Sequence, residues 1–422
     1  MLFRNAALRL LPVALLALAA CSESTTKTET SATTKATPDA GASAQTPPVA
    51  PPTPANTAGA PAALPAATAA PTDTVYVQDV ATYLAGLPVR ANSELAALAQ
   101  GPAYRAFVKD QDKSWAKYTS THTSRMTQWA SHELDSVQRH SPTIFYPFSG
   151  PDFLNVITMF PTSQTYIMVG LEPVGSVPAR VSLENPKLYP AIKASLWSVL
   201  NFSFFRTNDM AIDLKSVELD GAVPLIMLFA ARTGHQVLAV HPVQLTAAGH
   251  LAPGVADTTR ASGRLNIPGA EILVRSASGQ PQTIYYFSAD ISDAKLTPHP
   301  ALLTYLRILG PLTTYVKSAT YLMHKAYFSK IRTLVLARSN YLLQDDSGIA
   351  MKYFPARMWQ FTYYGTYRRP INLFAKHYQP ELTAAYTDSL RRPSPLPFGT
   401  GYNWRQTDSN LLLAQRRTLV SN

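Results

Sequence analysis

The sequence predicts an α+β fold, with mixed helices and short strands in one large globular unit that follows a disordered tether. Three observations carry the prediction. Residues 22 to 73 hold no aromatic side chain, whereas Tyr, Phe, Trp, Leu, Ile and Val return together from Thr74 onward. Beyond that point, segments whose apolar residues recur at three and four are interspersed with β-branched and aromatic runs of strand length. The two kinds of segment do not alternate regularly, as repeated strand–helix units would.

The first element is a targeting segment. In MLFRNAALRLLPVALLALAAC, Arg4 and Arg9 precede an apolar stretch from Leu10 to Ala20 that small residues close just before a cysteine, the pattern of a secretion signal. That core is about half of the roughly 20 residues a spanning helix needs. Leu18, Ala19, Ala20 and Cys21 resemble the lipobox of bacterial lipoproteins. By that resemblance residues 1–20 are a lipoprotein signal peptide, and Cys21 becomes the first residue and carries acyl chains. Cys21 is the only cysteine in the chain, so no disulfide forms within one molecule. Lipidation accounts for a lone thiol outside the cytoplasm, since each buried CH2 contributes about 0.8 kcal/mol and two or more chains anchor stably. Ser22 follows the cysteine, and without an aspartate there the resemblance implies an outer rather than an inner membrane. Residues 21–73, rich in Thr, Ala, Pro, Ser and Gly, then form the tether, because they bury too little apolar surface to offset the entropy of ordering.

From Thr74 the elements follow in order. VYVQDVATYLAGL, MTQWASHELDSVQ and NPKLYPAIKASLWSVLNFSFF have helical periodicity. TIFYPF and TYIMVGLEPV read as strands on either side of SGPDFLNVITMFP, a strand–helix–strand unit of about the length of a βαβ motif. GHQVLAVHPVQLT reads as a strand, and AEILVRSA with QTIYYFSADI as a hairpin closed by SGQP. Helices return in PALLTYLRILG and over the long stretch TTYVKSATYLMHKAYFSKIRTLVLARS. Strand-like pieces close the chain around YLLQDDSGI and WQFTYYGTY. Length alone allows residues 74–422 to be one domain or to divide near residue 300.

Candidate chemistry is sparse. Ser149 precedes Gly150, Pro151, Asp152 and an apolar run, which predicts a helix N-cap accepting from the Asp152 N–H. The nucleophile alternative needs an elbow such as G-x-S-x-G, and Pro147 and Pro151 stand where its glycines belong. Asp345 and Asp346 are adjacent carboxylates suited to acid–base or metal chemistry, but D-D-S-G is also a turn sequence, and the turn is preferred. His324, with Tyr321 and Tyr327 one helical turn away, is a candidate general base that lacks a carboxylate at i+3 or i+4 to orient it. No phosphate-loop, dinucleotide or zinc-ligand pattern is present, so no cofactor and no metal are expected.

FYPFSGPDFLN, YLMHKAYFSKIR, YLLQDDSGI and FGTGYNW together resemble an uncharacterised family of bacterial secreted and lipid-anchored proteins, over most of residues 140 to 404. The resemblance implies the location and brings no catalytic residue with it.

Charge is distributed unevenly. Residues 301–422 hold 16 Lys and Arg against 5 Asp and Glu, a net +11, whereas residues 74–300 hold 17 of each. The same last third contains 12 tyrosines, some beside arginine as in YYGTYRR. A face bearing Arg368, Arg369, Arg391 and Arg392 with neighbouring tyrosines is expected to meet anionic glycan or lipid headgroups, and nucleic acid is not the expected partner. Two function classes follow. One is a binding or structural lipoprotein of the envelope, preferred on sequence; the other is an envelope hydrolase with a site assembled from distant residues.

Overall fold

A computed structural model describes residues 74–202, 204, 221–254, 266–390 and 392–417, so Cys21, the tether and Arg391 lie outside the described residues. The expected α+β architecture is present, as helices around one mixed sheet. Its strands are β1 (Thr143–Tyr146), β2 (Thr165–Gly170), β3 (Gln236–Leu245), β4 (Leu251–Pro253), β5 (Ile267–Arg275), β6 (Pro281–Ser288), β7 (Leu312–Val316), β8 (Ser339–Gln344), β9 (Trp359–Gly365) and β10 (Asn410–Arg416). They lie in the order β4-β3-β5-β6-β2-β1-β7-β8-β10-β9. The middle block β6-β2-β1-β7-β8 is parallel, and antiparallel pairs form both wings.

Side chains alternate between the faces of a strand, so a central strand covered on both sides reads as an unbroken apolar run. β1 and β2 behave this way. Ile144, Tyr146, Tyr166 and Met168 enter one core and Phe145, Ile167 and Val169 the other, none more than 1% exposed. Helices Thr74–Leu84, Pro102–Tyr118, Phe153–Met159 and Val223–Arg232 contribute to the first core, and Ala301–Ile308 and Ser329–Arg338 to the second.

The predicted strand–helix–strand unit forms, with β1 crossing through Phe153–Met159 into parallel β2. The predicted hairpin is β5 and β6, with Gly279 at φ +85° in its turn. β7, which follows residue 300, pairs with β1, which precedes it, so one sheet runs across that position.

The long helix expected from residue 313 does not form. The stretch begins as β7, because Thr313, Thr314 and Val316 are β-branched and fill the gap between β1 and β8. Ser318, Thr320 and Tyr321 then adopt left-handed φ of 52°, 51° and 52°, through which a right-handed helix cannot run. Two short 3-10 turns, Leu322–His324 and Ala326–Phe328, lead to the helix Ser329–Arg338. His324 therefore sits on a tight turn and not on a helix face.

Candidate active site at the ends of the parallel strands

The chain leaves β1 and β7 in opposite directions. From β1 it crosses through Phe153–Met159, in the first core, to β2; from β7 it crosses through Ser329–Arg338, in the second core, to β8. The carboxyl ends of neighbouring parallel strands with diverging connections are where open α/β sheets hold ligands. Residues 147–152, 317–321 and 345–348 follow β1, β7 and β8 at these ends.

The turn after β1 corrects the expectation for Ser149. Phe148 and Gly150 take left-handed φ of 60° and 51°. Ser149 is directed at β2, where its hydroxyl donates to the Val169 carbonyl at 3.2 Å and accepts from the Val169 N–H at 3.1 Å. The helix is capped by Asp152 instead, whose Oδ1 accepts from the Asn155 N–H at 3.2 Å. Asp152 immediately precedes the first helical residue, so its carboxylate reaches the third N–H of the helix, which Ser149 does not.

Asp152 has a second task. Its Oδ2 accepts from the Tyr146 hydroxyl at 3.0 Å and lies 3.1 Å from Lys317 Nζ, the first residue after β7. The Lys317 and Asp152 side chains are 1% and 4% exposed. An ion pair removed from water this completely loses several kcal/mol of solvation per ion, which its mutual attraction repays only with good geometry and further hydrogen bonds such as those from Tyr146 and Asn155.

The strained loop after Lys317 is held by groups from far along the chain. The Ser318 N–H donates to Asp345 Oδ2 at 2.9 Å, the Ala319 N–H to Ser347 Oγ at 2.8 Å, and the Thr320 N–H to the Tyr402 hydroxyl at 3.2 Å, which in turn donates to the Ser318 carbonyl at 2.8 Å. Asp345 also accepts from the Ser347 N–H at 2.9 Å, so the D-D-S-G turn is real. Gly401 closes over it at φ +70°, with no room for a Cβ, which would lie 2.2 Å from Asp345 Oδ2.

Both carboxylates of that turn are nevertheless buried. Burial raises the Asp345 pKa against the hydrogen bonds from Ser347 and Ser318. Asp346 is pushed up to about 7, first by burial and then by Asp345, although it accepts from the Tyr321 hydroxyl and from Asn410 Nδ2. His324 packs edge-on against Tyr321 and His377, with ring centres 5.1 and 5.6 Å away. Burial, then His377, Lys352 and Arg332, lower it to about 3, which makes it a neutral imidazole too weakly basic to serve as the expected general base. Nearby, the fully buried hydroxyls of Tyr315 and Thr400 make no well-formed hydrogen bond. Tyr315 is held protonated by burial and then by Asp152 and Asp345.

His324, Asp345 and Asp346 thus come together around Tyr321, and Ser149 does not join them. Lys317, Tyr402 and Gly401 complete the cluster and were missed in the sequence, Lys317 because it sits inside an apparently helical stretch. A strand-like TTYV ending in lysine was the signal available. Among the arginines, Arg368, Arg369 and Arg392 are exposed, and Arg391 lies outside the described residues. Tyr363, Tyr364 and Tyr367 are buried, which corrects the expectation that tyrosines of that run stack on a ligand beside Arg368 and Arg369. No family model, curated protein or solved structure matches the chain.

Proposed function

We propose that the globular unit is an envelope hydrolase working by general acid–base chemistry at the ends of β1, β7 and β8, held at the outer membrane by lipid on Cys21. The observation that carries this reading is the buried Lys317–Asp152 pair at the point where the strand connections diverge. Apolar residues of similar volume in place of a buried ion pair are often neutral or stabilising, so stability alone does not account for the pair. Lys317 supplies a fixed positive charge for an anion that develops in a reaction. Asp346, which keeps its proton up to about pH 7, is matched to proton transfer near neutrality. A backbone strained at three residues beside these groups is also typical of a functional site.

The test is to incubate the full chain with purified bacterial envelopes and follow the soluble products by mass spectrometry. Wild type is expected to release fragments that the Lys317→Met/Asp152→Asn variant does not, with the variant's fold checked by circular dichroism. Equal release by the two proteins contradicts the reading.

A second reading, a binding module, is favoured by the exposed Arg368, Arg369 and Arg392, which form no ion pair with a carboxylate among the described residues. They supply a cationic surface for anionic glycan or lipid headgroups. On the hydrolase reading the same face orients the unit on the layer it acts upon.

A further inference from the structure

A cleft of about 330 Å3 opens between residues 118–125, residues 200–202 and the loop 398–406. Its walls bring together features that nothing in the acid–base cluster requires. Two exposed guanidinium groups, Arg125 and Arg405, line it, and among the described residues no aspartate or glutamate does. Arg125 spends only one nitrogen, Nη1, on the Pro397 carbonyl (3.4 Å) and on Gln406 Oε1 (3.2 Å). Arg405 lies over the Trp404 ring at 5.0 Å. The indole, 38% exposed, is braced edge-to-face by Phe202 at 5.2 Å. Among the described residues, the cleft therefore pairs a partly exposed aromatic ring with two guanidinium groups that no carboxylate engages.

Such a face presents a π surface to the C–H side of a pyranose ring, while a guanidinium fork fits the two oxygens of a carboxylate or phosphate. The size decides how much of a ligand enters. Small-molecule sites span roughly 300–1,000 Å3, and this cleft is at the lower end, which suits one sugar ring and not a chain of them. We infer that the cleft is a binding subsite for a single sugar ring carrying one anionic group, gripped by Arg125 and Arg405 and stacked on Trp404.

The subsite also shares a loop with the buried cluster. His122, on the cleft wall, stacks on Tyr118 at 4.9 Å and meets Phe398 edge-on at 6.0 Å. Burial holds it neutral, and Lys317 and then Arg125 add to the effect, so it lies within electrostatic reach of both places. The loop that forms the cleft wall continues through Gly401, which packs on Asp345, and Tyr402, which hydrogen-bonds the strained loop. In naming a substrate class for that cluster the inference rests on the hydrolase reading; as a binding site the cleft stands apart from it.

The experiment titrates the full chain in detergent with glucuronic acid, glucose 6-phosphate, glucose and inorganic phosphate, following heat by calorimetry and Trp404 by fluorescence against a Trp404→Phe control. The two acidic sugars are expected to bind, glucose and inorganic phosphate each about tenfold more weakly or worse, since each lacks one of the two recognised features. Arg125→Ala/Arg405→Ala is expected to lose about tenfold or more for the acidic sugars. Lys317→Met/Asp152→Asn is expected to bind them as wild type does. Glucose equal to glucuronic acid, phosphate equal to the sugar phosphate, no binding by either acidic sugar, or wild-type binding by the arginine variant overturns the subsite. Binding intact in the Lys317→Met/Asp152→Asn variant, alongside envelope release that is the same with and without the pair, removes the hydrolase reading and leaves the subsite standing.

Discussion

At the scale of single residues, burial decides which groups titrate where. Asp346 is raised to about 7, so between roughly pH 4, the ordinary carboxylate value, and pH 7 the native state binds more protons than the unfolded chain. Stability from this group is therefore lost as pH rises through that window. His324, lowered to about 3, has the opposite sign, and its contribution is lost as pH falls from about 6.5 toward 3. Replacing one group isolates its slope. The unfolding midpoint of Asp346→Asn minus that of wild type is expected to grow from pH 4 to 7 and then level off, and a gap independent of pH contradicts the burial argument. Ser149 supplies a second residue-level prediction. Ser149→Ala leaves the Val169 N–H and carbonyl with one partner fewer and should lower stability by about 1–3 kcal/mol in urea denaturation, while envelope release is unchanged.

At the scale of elements, the loop 317–321 holds three left-handed residues because Asp345, Ser347 and Tyr402 satisfy its N–H groups from positions remote in sequence. Gly401 is the contact that leaves no slack. Gly401→Ala places a methyl against the Asp345 carboxylate and strains φ, whereas Gly279→Ala, at φ +85° with nothing within 4 Å, carries only the strain of about 1–2 kcal/mol. Urea denaturation is expected to show the larger loss at Gly401, and equal losses contradict the packing described. The contrast shows what the sequence made legible. β1, β2 and the β5–β6 hairpin were readable because β-branched and aromatic runs with a glycine turn encode them locally. The break after β7 was not, since Ser318, Thr320 and Tyr321 carry no local signature of left-handed backbone, and distant groups impose it. The site divides the same way. Asp345 and Asp346 announce themselves as an acidic pair in a basic region, while Asp152 read only as the N–H partner of a Ser149 cap and Lys317 was lost in the false helix.

At the scale of the whole molecule, the net +11 of residues 301–422 and the expected lipid at Cys21 work in one direction. On the proposed lipidation, residues 22–73 would keep a basic unit close to phosphate-rich headgroups, where its effective concentration is high. Cys21→Ala is expected to shift the protein from the membrane to the soluble fraction or leave it unprocessed, and unchanged cleavage with unchanged membrane binding contradicts lipidation. Binding of that variant to anionic vesicles should weaken with salt, as the Debye length falls from about 10 Å at 0.1 M to about 3 Å at 1 M. It should weaken again when Arg368, Arg369, Arg391 and Arg392 become alanine, and equal binding to neutral vesicles removes the electrostatic face.

The central claim is that the buried charges beyond β1 and β7 are kept for chemistry and not for the fold. Urea denaturation of the full chain carrying Lys317→Met/Asp152→Asn tests it most directly, because methionine replaces the lysine stem and asparagine keeps the helix cap. The account predicts stability within about 3 kcal/mol of wild type, since both charges leave together and only the new amide N–H groups lack their former partner. A loss of about 3 kcal/mol or more would show that the pair holds the sheet ends together, and would contradict the claim.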